Sequence, residues 1–173
     1  GMNSIWIEYN PINESTNTYY QQEQYHFNNL AVKYFHVQGD ITNPLLDVSF
    51  DGRYIMNGEI ISAKPEIQIK LKDENQYLAL NDTSLFRIYL TNLQTGVEKR
   101  VYFGVQENPE ETIEWFPADL PENSAKIIYN PIFTTDGDYR LRVQAKDVSE
   151  NESGDNDYVV DFKVITQSSI HIY

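Results

Sequence analysis

Residues 138–146, DYRLRVQAK, alternate without a break: Tyr139, Leu141, Val143 and Ala145 fall on one face, Arg140, Arg142, Gln144 and Lys146 on the other. A period of two predicts a β-strand with one side in a core and one in water. DYVVDFKVI (157–165) repeats the pattern with Tyr158, Val160, Phe162 and Val164 inward, so the two segments are expected to pair as a hairpin. PEIQIKL alternates Ile67, Ile69 and Leu71, and SLFRIYLT sets Phe86, Ile88 and Leu90 against Arg87 and Tyr89. Weaker alternation runs through 30–37, 45–50, 53–56, 98–105 and 125–130. Turn dipeptides separate these runs: GD at 39, NP at 43, DG at 51, NG at 57, TG at 95 and DG at 136. Strands punctuated in this way, with no helical period longer than a turn or two, predict an all-β antiparallel sandwich.

Composition narrows the function classes. A chain of 173 residues with 40% hydrophobic content fills one domain, or one domain and part of a neighbour. The formal net charge of −13 repels a phosphate backbone, and no basic cluster offsets it, so nucleic acid and anionic membrane are poor partners; with no apolar run near the roughly 18 residues of a span, membrane insertion is not expected either. With no cysteine there is no thiol catalysis, no disulfide and no thiolate zinc site. The opening GM reads as a cloning remnant before a methionine, and the chain is expected to be part of a longer protein. Residues 1–28, rich in Asn, Gln and Tyr, are expected to be an extension or the end of a preceding module; 29–166 the sandwich; 167–173 a tail.

Two long stretches, NPLLDVSFDGRYIMNGEIISAKPEIQIKLKDENQYLALNDTSLFRIYL and AKIIYNPIFTTDGDYRLRVQAKDVSENESGDNDYVVDFKVI, resemble the Ig-like module of very large bacterial surface proteins that use the type IX secretion system. In those gingipain-type (PorU-like) proteins the module lies between a cysteine peptidase domain and a C-terminal sorting domain. The similarity covers roughly 28–166, with LDVSFDG, KPEIQIKLKDEN and DTSLF its most specific parts. The resemblance implies an Ig-like or fibronectin-like sandwich of about seven to nine strands. It also implies a noncatalytic spacer or docking module, extracellular or on the outer cell surface, whose partners are neighbouring domains of the same polypeptide.

The candidate chemistry is sparse. KDVSENESGDNDY (146–158) gathers Asp147, Glu150, Glu152, Asp155 and Asp157 between two strands. Counted from Asp147 the EF-hand pattern fails: position six is Glu152, the glycine comes late at Gly154, and position twelve is Tyr158. A less stereotyped calcium site built from Asp147, Asn151, Asp155 and Asp157 stands beside the alternative of a solvated turn. Like charges about 4 Å apart cost only about 1 kcal/mol in water, so five acids need no cation. The same two readings apply to Asp73, Glu74 and Asp82.

His26, His36 and His171 are far apart and form no HExxH pair, and there is no G-x-S-x-G, phosphate loop or dinucleotide fingerprint. No enzymatic activity is therefore expected, and no cofactor beyond a structural calcium. The 13 Tyr, 8 Phe and 2 Trp raise a second function, a carbohydrate- or protein-binding sandwich, with Trp115 and Phe116 in the loop-like TIEWFPADLP as ligand-binding candidates. The alternative is that both rings plug the end of the sandwich.

Overall fold

The computed structural model describes residues 1–104 and 106–166; the tail expected at 167–173, His171 included, lies outside the described residues. The chain forms two units, Gly1–Gly39 and Asp40–Tyr173.

In the first unit, β1 (Met2–Glu8) pairs antiparallel with β4 (Leu30–His36), Met2 opposite His36 and Glu8 opposite Leu30. Between them β2 (Ile12–Asn13) and β3 (Thr18–Tyr19) close a short hairpin. The segment beginning at 29, expected to open the sandwich, thus completes a ribbon with β1, and the division falls at 39/40. Alternation announces a strand but not its partner, and here the partner is the Asn- and Tyr-rich N-terminal stretch. The ribbon has no core of its own: Asn10 is the one buried residue of the unit, and every residue of β1 is exposed.

The second unit holds β5 (Leu45–Phe50), β6 (Glu59–Ile61), β7 (Ile67–Lys72), a 3-10 turn (Thr83–Leu85), β8 (Phe86–Asn92) and β9 (Val97–Val101). It continues with β10 (Thr112–Phe116), β11 (Ser124–Asn130), β12 (Gly137–Ala145) and β13 (Tyr158–Val164). They make a four-stranded sheet, β10-β11-β7-β5, and a five-stranded sheet, β6-β13-β12-β8-β9. Pairing is antiparallel except for β6, which runs parallel to β13. With β5, β7, β11 and β10 as strands A, B, E and D, and β8, β12 and β13 as C, F and G, this is the immunoglobulin strand order, extended by β9 beside C and β6 beside G.

The predicted hairpin forms, with Tyr139 opposite Phe162 and Leu141 opposite Val160. Residues 53–56 form no strand, because Asp51 and Gly52 adopt φ of 49° and 75° and turn the chain so that Arg53 bridges back to Phe50. TIEWFPADLP, read as a loop, contains β10: Ile113 and Trp115 tilt toward the core while Thr112, Glu114 and Phe116 face out.

Alternate residues of both sheets meet between them. Val48, Phe50, Ile67, Ile69, Leu71 and Ile127 from one, and Ile88, Leu141, Val143, Phe162 and Val164 from the other, are all at most 2% exposed. Phe162 is the aromatic hub, with ring centroids 5.4 Å from Phe50 and 5.7 Å from Phe133. Deleting a ring from such a packed centre removes its transfer energy and leaves a void. Phe162→Ala is therefore expected to lower the unfolding free energy by about 3–5 kcal/mol in urea titration. Val159→Ala, at an exposed position of the same strand, is expected to change it by less than about 0.5 kcal/mol.

Candidate metal centre

Three carboxylates converge at one end of the second unit. Asp73 follows the last residue of β7, Asp147 lies two residues beyond β12, and Asp40 is the first residue of the unit. One carboxylate oxygen from each lies within 4.8 Å of the other two. Because β7 and β12 belong to facing sheets, the cluster joins the two layers to the segment that enters β5.

Each aspartate first serves its own turn. Asp40 Oδ1 accepts the Thr42 N–H at 3.0 Å and Oδ2 the Asn75 side-chain amide at 2.6 Å. Asp73 Oδ1 accepts the Asn75 N–H at 3.2 Å. Asp147 Oδ1 accepts the Asn151 N–H at 2.8 Å and Oδ2 the Asn151 Nδ2 at 2.7 Å, while that same Nδ2 reaches the Asp40 carbonyl at 3.2 Å. Asn123, fully buried with φ of 45°, ties the floor together. Its Oδ1 accepts the Leu80 N–H at 2.9 Å, and its backbone carbonyl accepts the Asp73 N–H at 3.0 Å.

The electrostatics are unbalanced. Asp73 and Asp147 are buried, and among the described residues no Lys or Arg forms an ion pair with any of the three. At an effective dielectric near 20, two like charges at this spacing cost roughly 3 kcal/mol, so the buried Asp73–Asp147 pair alone is a substantial penalty. Burial pushes the Asp73 carboxyl above the ordinary range, and the charges of Asp40 and Asp147 push the same way, against the Asn75 and Glu74 N–H groups. Asp40 moves down, because the Thr42 N–H and the Asn75 amide stabilise its charge. A proton is therefore held by Asp73 in preference to Asp40.

Of the sequence candidates, Asp147 and Asn151 sit in this cluster. Asp157 is held on the outer face of the sheet by Arg142 at 3.2 Å and by Gln144 at 3.0 Å, and Asp155 is exposed in the turn. Glu74 is exposed, and Asp82 caps the 3-10 turn by accepting the Ser84 N–H at 2.8 Å. Trp115 is half-buried, edge-on to Phe86 and Phe103 with centroids 5.4 and 6.1 Å away, and Phe116 carries the Lys126 ammonium 4.4 Å from its ring centre. His26 stacks on Tyr19 in the first unit, and His36 lies on β4 opposite Met2. Sequence reading missed Asp40 as a participant and treated Asp73 and Asp147 separately. The available signal was that each begins a turn, at GDIT, KDEN and KDVSEN. No family model, curated protein or solved structure matches the chain.

The raised Asp73 carboxyl has a definite sign in folding. The protonated form is favoured in the native state, so its contribution is complete below the unfolded value of about 3.8 and is lost as pH rises through the higher native value. In metal-free buffer Asp73→Asn is therefore expected to be more stable than the parent at pH 7, with a difference that shrinks toward pH 3.5. Urea titrations of both proteins across that range check it; a flat or inverted difference contradicts the raised Asp73 carboxyl.

Proposed function

We propose that this chain is a noncatalytic Ig-like spacer and docking module of a larger secreted or cell-surface bacterial protein, set beside a peptidase domain and a sorting signal. The secretory setting rests on the sequence resemblance. The docking role rests on the first unit. Ile5, Trp6 and Ile7 follow one another in β1, so both faces of the ribbon are apolar, and the three side chains are 52–62% exposed. A two-stranded ribbon is at best marginally stable alone. One that is apolar on both faces gains its stability from a neighbouring domain that covers it.

The second unit supports the spacer role. Its inter-sheet space is occupied by packed side chains, and four hollows on its surface hold about 80 to 260 Å³ each. Ligand pockets generally enclose about 300 to 1,000 Å³. The second reading, a glycan-binding sandwich, has less support, since Trp115 spends its ring on Phe86 and Phe103.

Limited proteolysis of the isolated chain is expected to cut within 1–39 and leave the sandwich intact. Adding the adjacent domain is expected to suppress those cuts and to shift Trp6 emission to the blue. Full protection of 1–39 without any neighbour would overturn the docking role, and glycan binding abolished by Trp115→Ala would favour the second reading.

A further inference from the structure

The two sheets treat the positive charges on their outer faces differently. On the five-stranded sheet Arg140 and Arg142 of β12 are answered within the chain, Arg140 by Asp161 at 2.6 Å and Arg142 by Glu98 at 3.0 Å and Asp157 at 3.2 Å. On the four-stranded sheet the central strands β7 and β11 turn Lys70, Lys72 and Lys126 outward, because Ile69, Leu71, Ala125 and Ile127 beside them are fully buried. Among the described residues no carboxylate forms an ion pair with any of the three. Lys70 stands directly opposite Lys126, an arrangement of like charges that weakens a strand pair. The two acids that share the face leave this unrelieved: Asp47 Oδ2 accepts the Tyr54 hydroxyl at 3.0 Å, and Glu114 stands opposite Ile128. No run of bases along the chain announces this patch; strand register assembles it.

We propose that this face docks an extended acidic segment of a partner protein. In an extended chain alternate side chains point the same way and recur at about 6.4–6.8 Å, the interval that also separates Lys70 from Lys72 along β7. Carboxylates two residues apart therefore fall on both lysines at once. Beside them lies a hollow of about 260 Å³ lined in part by Leu45, Tyr54 and the same two lysines, with Leu45 69% and Tyr54 71% exposed. An apolar side chain entering it next to the acids covers both, a combination that a polypeptide offers and an acidic sugar chain does not. The net charge of −13 does not forbid the contact. At physiological salt charges are screened over about 8 Å, so a carboxylate seated on these lysines responds to them and little to acids in distant loops. The surface belongs to the second unit and stands independently of the docking role given to the first.

The test is fluorescence anisotropy of a short dye-labelled peptide that alternates glutamate and threonine around one leucine, titrated with the full chain at about 0.15 M salt. Binding is expected for this peptide and not for its counterpart with lysine in place of glutamate. The double variant Lys70→Glu/Lys72→Glu is expected to weaken binding about tenfold or more, whereas Lys163→Glu, on the outer face of the other sheet, keeps the parental affinity. Lys126→Glu is expected to weaken binding as well while leaving the melting temperature unchanged, since the opposite charge it sets beside Lys70 offsets the ring contact with Phe116 that it loses. That variant separates loss of the surface from loss of the fold. No binding of the glutamate peptide, equal binding of the lysine peptide, or equal weakening by Lys163→Glu overturns the proposal. So does tighter binding of hyaluronate fragments than of the peptide, which assigns the face to an acidic glycan. Self-association of the parent chain in sedimentation, abolished by Lys126→Glu, assigns it to a second copy and overturns the proposal too.

Discussion

Everything in the second unit depends on two sheets burying one apolar face each against the other. Burial of that face fixes the register of every strand, since a slip of one residue carries a whole set of side chains to the wrong side. With Leu141, Val143, Phe162 and Val164 inward, Arg140 and Arg142 must point outward, where Arg140 meets Asp161 on the adjacent β13 and Arg142 meets Glu98 on β9, beyond β8, and Asp157 just before β13. Such exposed pairs sharpen the pairing of strands more than they stabilise the fold. The same closure determines which turns are neighbours in space. The chain leaves β7 and β12 at the same end of the sandwich, and Asp73 and Asp147 meet there because the layers above and below them are already locked.

The β12–β13 hairpin was legible from residue order because its alternation is complete over both arms and its connection is local. β7 and β8 were legible for the first reason. The partner of 30–36 was not, because an alternating strand pairs with any strand that offers a matching edge, and LAVKYFHV carries no mark separating β1 from the sandwich. β10 was hidden by the prolines and acids that follow Trp115 and Phe116, which made a five-residue strand read as part of a loop.

The acidic centre illustrates a different limit. Density of charge along the chain pointed to 147–157, yet proximity in space selected Asp147 from that stretch and joined it to two aspartates from distant turns. Asp157 was diverted by the outward arginine on β12, a consequence of strand register that one-dimensional spacing does not carry. Short Asx turns are common and bland when taken singly. What distinguishes these three is that a closed sandwich brings their side chains to one place, over the buried Asn123 amide.

The margins of the five-stranded sheet bear on how readily another chain can extend it. Open strand edges invite foreign chains to add on. At one border β6 is three residues long and parallel to β13, leaving very little ladder for an incoming segment to copy. At the other, β9 presents Glu98, Lys99 and Arg100 in succession, charges that an added strand would have to strip of water. Addition of a foreign strand at either border of this sheet is therefore disfavoured.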